Sequence, residues 1–298
     1  MFCMKKHFFC LVKTYVCGLM VLAGAASCEK MTVAESDDDG SKANVLLRIG
    51  SVEQVPFPVV TRATLQELCS HLCFHIYNEN GNRVDYVNQK LDDSHFGTAS
   101  FMLDKGHYYL VVVAHSASNN PSFNADEVVR ISGSDLGDTF WCCEEFWIED
   151  EDVNLDLELK RIVALLRFIP TVTPPENLNK INIYYTGSKG TFNGLTGYGK
   201  SGNQTVKLEP SAEDRQYEFY MIPQAENDQI DLTIKAFYVE ENGKIHSLGG
   251  CMIDDVPVKR NCITICRGNL FDENYRSASV YITVSINDSW GENLQIDF

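Results

Sequence analysis

Apolar residues along this chain recur with a period of two over most of its length. In VNLDLELK, residues 153–160, apolar side chains alternate with polar ones, which is typical of a strand buried on one face. The run HYYLVVVAHS, residues 107–116, is almost wholly apolar and is typical of a strand buried on both faces. No segment sustains a period of 3.6, so the pattern predicts an all-β protein.

Similar apolar segments are separated by turns that contain Gly, Asn, Asp and Pro. A spacing of about 8 to 15 residues between turn signals is typical of β-sandwiches. We therefore predict two tandem antiparallel β-sandwich domains, residues 44–158 and 159–298, divided just after the acidic run EDEDVNLDLE. The predicted strands cover residues 44–52, 72–78, 83–89, 97–103, 107–116, 139–148, 153–172, 180–187, 205–210, 217–223, 229–239, 263–271 and 279–288.

The N-terminus has the pattern of a secretory signal peptide. Lys5 and Lys6 precede an apolar run, and the small residues AGAAS come directly before Cys28. We interpret residues 1–27 as the signal peptide. Small residues before a cysteine resemble a bacterial lipobox, which makes Cys28 the predicted lipidation site; cleavage nearby that leaves Cys28 unacylated is the alternative. Residues 28–43 are polar and acidic, which indicates a flexible tether.

Composition narrows the choice of partners and of cysteine chemistry. The chain has 298 residues, 44% of them hydrophobic, and a formal net charge of −16. With no basic patch in the sequence, we predict no nucleic-acid partner. Seven cysteines follow Cys28. An odd number cannot all pair within one chain, so we expect mostly buried thiols and at most one or two disulfides.

The segment CSHLCFH looks at first like a metal site, because Cys69, His71, Cys73 and His75 occupy alternate positions. On a strand they would share one face, but the first and last would lie about 20 Å apart. A zinc ion binds its ligands at about 2.0 to 2.3 Å. One strand can therefore supply two neighbouring ligands and never four. We predict no metal site here; a site that uses two of the four is the alternative.

No catalytic motif is present. The sequence lacks GxSxG, HExxH, a P-loop and GxGxxG, so we predict a protein that is not an enzyme and needs no cofactor. Aromatic residues suggest an alternative function, in which Trp141, Trp147 or Trp290 forms a glycan-binding surface. An exported hydrolase, with paired carboxylates that sequence alone does not reveal, is a third hypothesis.

Six segments, in this order and spacing, resemble the fimbrillin (type V pilin) superfamily of Bacteroides-type bacteria, and most closely its lipidated anchor or minor fimbrial subunits. They are spread over nearly the whole chain after the tether. They are TRAT (61–64), LQELCSHLCFHIYNENGNRVDYV (65–87), LDKGHYYLVVVAHS (103–116), LKRIVALLRFIP (159–170), VPVKRNCITICRGNLF (256–271) and SINDSWGENLQIDF (285–298).

The resemblance implies two transthyretin-like β-sandwiches without enzyme activity, exported as a lipoprotein to the outer membrane and the cell surface. In stalk and tip subunits of this superfamily a protease cuts after an arginine and removes the first strand, and a strand of another subunit fills the groove. Arg48 and Arg62 are the candidate processing sites here. An anchor subunit keeps its first strand and its lipid, here on Cys28. The implied partners are other fimbrial subunits, and a glycan or host receptor is an alternative partner.

Overall fold

The computed structural model describes residues 43–53, 64–124, 128–132, 136–210, 214–273 and, as backbone, 282–287. All of them belong to one compact unit, residues 35–298. This part of the chain is nearly all β, as predicted. The helix α1 is Leu65–Leu68, and the strands of the first half are β1 (Val45–Val52), β2 (His71–Asn78), β3 (Arg83–Lys90), β4 (Thr98–Phe101), β5 (Gly106–His115), β6 (Ser122–Phe123), β7 (Val128–Arg130), β8 (Thr139–Ile148) and β9 (Val153–Arg161).

The second half continues in the same style, with long strands joined by turns. Its longest strand, β16, lies between the predicted strands 229–239 and 263–271, where no strand was predicted. The strands are β10 (Ala164–Pro170), β11 (Lys180–Gly187), β12 (Thr191–Asn193), β13 (Gly202–Leu208), β14 (Tyr217–Met221), β15 (Asp228–Val239), β16 (Ile245–Val258), β17 (Ile263–Gly268) and β18 (Ile282–Asn287).

Seven strands of the first half form a continuous sheet in the order β3-β2-β5-β8-β9-β1-β4. Strands β8 and β9 pair only through Phe140 with Arg161 and Trp141 with Lys160, so the sheet folds over at this corner into two layers. Alternate side chains of both layers meet in one apolar core, as in a β-sandwich. This core includes Val45, Leu47, Leu72, Phe74, Ile76, Phe101, Leu110, Val112, Phe140, Phe146, Leu157 and Leu159.

The second half forms two four-stranded sheets, β14-β10-β17-β18 and β13-β11-β15-β16. Side chains from both sheets enclose a second core, so this half is also a β-sandwich. The alternation in β15, where every second residue from Ile230 to Ala236 is buried, fits a strand with one face in the core. The core includes Leu166, Phe168, Ile181, Ile183, Phe219, Met221, Ile230, Leu232, Ile234, Cys251, Val256 and Cys266.

A third apolar cluster joins the two halves, and we refer to it as the joint cluster. It lies beside a three-stranded sheet, β12-β7-β6, in which β12 comes from the second half and the other two strands from the first. An antiparallel β7–β12 pair holds this small sheet together. The buried members of the joint cluster are Tyr77, Val111, Val113, Ala117, Val129, Ile131, Ile162, Val163, Phe192 and Ile222.

Two pairs of neighbouring strands are parallel, β1 with β9 and β10 with β17. The prediction of purely antiparallel sheets is therefore wrong at these pairs. Parallel neighbours cannot be joined by a tight hairpin, and here many other strands separate the partners along the chain. Alternation of apolar residues carries no information about strand direction. The predicted boundary after residue 158 lies within β9, and the division into two transthyretin-like domains stays a prediction.

All seven cysteines beyond Cys28 are thiols in the structure, consistent with the expectation of few disulfides. Burial raises the pKa of Cys73, Cys251 and Cys266 to about 12. Cys143 is half-buried. We call the buried remainder the core thiols; they are Cys69, Cys73, Cys142, Cys251, Cys262 and Cys266.

Among the helices that the structure describes, none has the length and apolar character needed to cross a membrane.

Candidate functional site

The first strand, β1, is an interior strand of the first sandwich. It pairs in parallel with β9 on one side and antiparallel with β4 on the other. Val45 and Leu47 are completely buried in the core. Just before the strand, the Asn44 side chain donates to the Leu103 carbonyl at 2.8 Å and accepts from its N–H at 3.0 Å. Strand β1 thus supplies ladder hydrogen bonds to two neighbours and fills part of the core.

Arg48 lies in the middle of β1, where its backbone pairs with Asp156 and Thr98. Its side chain is exposed and its guanidinium lies 2.6 Å from the Asp156 carboxylate. The hydrogen bond from Arg48 lowers the pKa of Asp156. A protease that takes its substrate as an extended strand needs the backbone groups that β4 and β9 already occupy. The fold therefore disfavours cleavage after Arg48 while β1 stays in the sheet.

Several positions predicted from the sequence lie outside the described residues. These are the signal peptide, residues 1–27, with residues 28–42 of the predicted tether 28–43, including the proposed lipidation site Cys28, and also Arg62 and Trp290. Both residues that flank the segment of Arg62, Glu53 and Thr64, are described. The processing and lipidation sites stay predictions.

Strands at the ends of the described sheets offer unpaired backbone edges. In the first sandwich these are β3 and β4, and in the second they include β13 and β14; the end strand β16 is partly covered, because Gly250 pairs with Asp272. Strand β3 also carries exposed apolar side chains, Val84 at 44% and Tyr86 at 50% exposure. Unpaired edges of this kind are where another chain can add a strand.

The alternating cysteines and histidines serve packing. His71 stacks on His115 with ring centroids 5.1 Å apart, and His75 stacks against Phe123 of β6 at 3.5 Å. Burial lowers the pKa of both His75 and His115 to about 4. Within the described ranges no group of three or more His, Cys, Asp or Glu side chains is arranged to hold a metal ion.

The two described tryptophans have different surroundings. Trp141 is half-buried against the joint cluster and its Nε1–H donates to the Gly194 carbonyl at 2.6 Å. The Arg260 guanidinium lies 6.0 Å from its ring and 3.5 Å from the ring of Tyr198. Trp141 therefore connects the two halves, and only part of its surface is exposed. Trp147 is 57% exposed and remains a candidate binding residue.

A charged node connects β1 to the joint between the halves. Arg161 donates to both carboxylate oxygens of Asp138, at 2.7 and 2.9 Å, and to Asn261 Oδ1 at 2.7 Å. The Arg161 backbone N–H donates to the Glu53 carboxylate at 3.0 Å. Its guanidinium also lies 4.8 Å from the Phe140 ring. Residues from three distant parts of the chain thus meet on one buried arginine.

Two members of this node lie in sequence segments that the apolar pattern does not connect. Arg161 lies in LKRIVALLRFIP and Asn261 in VPVKRNCITICRGNLF. Asn261 has a positive φ of 56°, a conformation in which Asn is favoured over most residues. The contact between the two segments depends on the pairing of β10 with β17, which the apolar pattern does not specify.

The fold is shared with solved structures from Bacteroides. The chain is 15% identical to a candidate adhesin from Bacteroides thetaiotaomicron VPI-5482, with a TM-score of 0.50 over 84% of this chain and 98% of that one. It is 9% identical to a candidate adhesin from Bacteroides ovatus, with a TM-score of 0.50 over 85% and 96% of the two chains. The tip fimbrial protein Mfa3 from Porphyromonas gingivalis matches at 12% identity, covering 81% and 98%, with a TM-score of 0.39.

The first two likenesses show an all-β architecture common to this chain and those candidate adhesins. At the level of family, the chain belongs to the family of unknown function DUF6562, whose model matches residues 53–297. No curated protein sequence matches the chain.

Proposed function

We propose that this protein is a structural subunit of a fimbrial or adhesive assembly at the cell surface, anchored to the outer membrane through a lipid on Cys28. One observation carries the proposal: β1 occupies a slot between β9 and β4 and fills it with fully buried apolar side chains. The fold that the chain shares with candidate adhesins over nearly their whole length supports it. The proposed role involves no catalysis, cofactor or nucleic acid.

The slot explains how such a subunit associates with others. If β1 left the sheet, the facing backbone groups of β9 and β4 would lose their partners, and the sites of Val45 and Leu47 would open to water. An extended strand of a neighbouring subunit can restore both the ladder and the apolar contacts. A subunit that keeps β1 cannot accept a strand there, so it ends the filament. We propose that this protein keeps β1 and is the anchor subunit that ends its filament.

The anchor role can be tested on protein purified from the cell surface with its native N-terminus. We expect mass spectrometry of the purified protein to find an acylated Cys28 at the N-terminus, and we expect Cys28→Ala to release the protein from the outer-membrane fraction together with any filaments attached to it. Normal attachment of filaments in the Cys28→Ala strain would contradict the anchor role.

The N-terminal residue of the same purified protein also distinguishes a processed stalk or tip subunit from an anchor. A mature chain that begins at Ala63 would identify a processed stalk or tip subunit, and Arg62→Ala should then block its assembly. Arg48→Ala is the matched control, because Arg48 lies in a paired strand and its substitution should leave processing unchanged. Co-purification with no other surface protein, under conditions in which filaments are intact, would contradict a fimbrial role of any kind.

A further inference from the structure

The outer face of the first sandwich carries an aromatic surface that the strand slot does not use. His107 of β5 and Trp147 of β8 are direct cross-strand partners, and their rings stack with centroids 4.4 Å apart and planes within 9°. Tyr109 extends the row, with its ring 4.9 Å from His107. We call His107, Tyr109, Glu145 and Trp147 the aromatic platform.

The platform presents one face of an indole to solvent. Trp147 is 57% exposed although its neighbours in the strand, Phe146 and Ile148, are buried. His107 covers one side of the ring. In the part of the chain that the structure describes, β9 pairs with β8 only at Phe140 and Trp141, so Trp147 has no ladder partner on its other side. The open face therefore stands at the rim of the sheet.

The geometry fixes this indole in place before anything binds. The carboxylate of Glu145 lies 2.6 Å from His107 Nε2, and the His107 side chain is only 21% exposed, so the imidazole is packed between its neighbours with one face on the indole. His107 and Trp147 lie on the paired strands β5 and β8, whose backbones do not move independently. A ring that is already immobilised loses little conformational entropy on binding. A tryptophan also offers a large, rigid contact area at a low cost in conformational entropy.

We propose that the aromatic platform is a binding site for neutral polysaccharide. The apolar C–H face of a pyranose ring matches the flat open indole, and sugar hydroxyls can donate to the half-exposed Glu145 carboxylate. The surroundings select against anionic partners, since Glu145 on the platform itself and Glu149, two residues after Trp147, are both exposed carboxylates. A single ring face with an acidic rim is too small for a stable protein interface and repels an anionic membrane.

Affinity electrophoresis of the purified mature protein tests the site, with α-mannan, β-glucan or galactan in the gel as neutral probes and polygalacturonate as the anionic probe. We expect at least one neutral polysaccharide to retard the protein and polygalacturonate to have no effect. Trp147→Ala should weaken the retarding affinity at least tenfold, Trp147→Phe should keep most of it, and Glu145→Gln should weaken it about threefold. Met252→Ala, which removes an exposed apolar side chain of the second sandwich, is the matched control and should bind like the wild type.

The proposal is overturned if no neutral polysaccharide in the panel retards the protein, or if Trp147→Ala binds as well as the wild type. Equal losses in Trp147→Ala and Met252→Ala would indicate unspecific apolar adsorption and also overturn it. Binding to neutral phosphatidylcholine vesicles that depends on Trp147, without glycan binding, would assign the platform to a lipid surface instead. Equal thermal midpoints of the variants confirm that folding is unchanged. None of these outcomes depends on the anchor role or on β1.

Discussion

Replacing Arg161 by Met should destabilise the whole joint between the two sandwiches. The Arg161 side chain is only 5% exposed, and its partner Asp138 is 18% exposed. Methionine fills most of the volume of the arginine stem but donates no hydrogen bond. The substitution would leave the Asp138 carboxylate with much of its charge out of water and without its two donors, and would leave Asn261 Oδ1 without its 2.7 Å donor.

The magnitude follows from the loss of one member of a buried ion pair, which costs about 3–5 kcal/mol. Because Asp138 keeps some contact with water, we expect the lower end, about 3 kcal/mol. Replacing both members by apolar residues, Arg161→Met with Asp138→Leu, removes the unpaired charge as well. The double variant should therefore be more stable than the sum of the single effects predicts, by about 2 kcal/mol.

Urea unfolding followed by tryptophan fluorescence measures these differences, since Trp141 packs at the joint. Arg48→Met is the matched control: it removes an arginine from an exposed ion pair with Asp156, and its unfolding midpoint should equal that of the wild type. A cost of Arg161→Met below about 1 kcal/mol, additive effects at the two sites, or an equal effect of Arg48→Met would contradict a stabilising role of the buried ion pair.

Three further predictions concern pH, backbone strain and thiols. The pKa of His75 and His115 is about 4 in the folded protein and about 6.5 in an unfolded chain. The stability should therefore not depend on these histidines above pH 6.5, and it should fall by about 1.4 kcal/mol per pH unit for each of them toward pH 4. Urea midpoints at pH 7 and 5 should differ less in the variant with both histidines replaced by Phe than in the wild type, whereas the exposed control His95→Gln should keep the wild-type difference. Gly197→Ala should cost more stability than Gly243→Ala. Both glycines have a positive φ, 69° and 86°, but only at Gly197 would an added Cβ lie 3.0 Å from a ring, that of Trp141. Equal thermal midpoints of the two variants would contradict the clash. The core thiols should resist a thiol reagent at pH 8 in the native state and react together in urea, because burial blocks access to them. Burial also raises the pKa of Cys69, Cys73, Cys142, Cys251 and Cys266. Fast labelling of several core thiols in the native protein would contradict their burial.

The candidate site was only partly predictable. The sequence marked Trp147 and Trp141 alike, and their different roles depend on what lies opposite each ring: open solvent beside the first, and Gly194 and Arg260 beside the second. The sequence likewise marked Arg48 as a candidate processing site without showing that it lies in a strand paired on both sides. Asp138 carries no sequence signal at all, because a single aspartate before a strand is ordinary at any surface.

Most strands followed from the sequence alone, because a strand with one buried face must alternate and a strand with two must be continuously apolar. Both patterns are local, and β5, β8 and β11 lie within one residue of the predicted ranges. The predicted run 153–172 is broken into β9 and β10 at Ile162 and Val163, which are apolar like their neighbours but pack in the joint cluster. Only the tertiary structure decided which strands are neighbours, which pairs are parallel, and that Arg161 meets Glu53, Asp138 and Asn261. Those contacts join residues far apart in the chain, and local alternation specifies a face without specifying its partner.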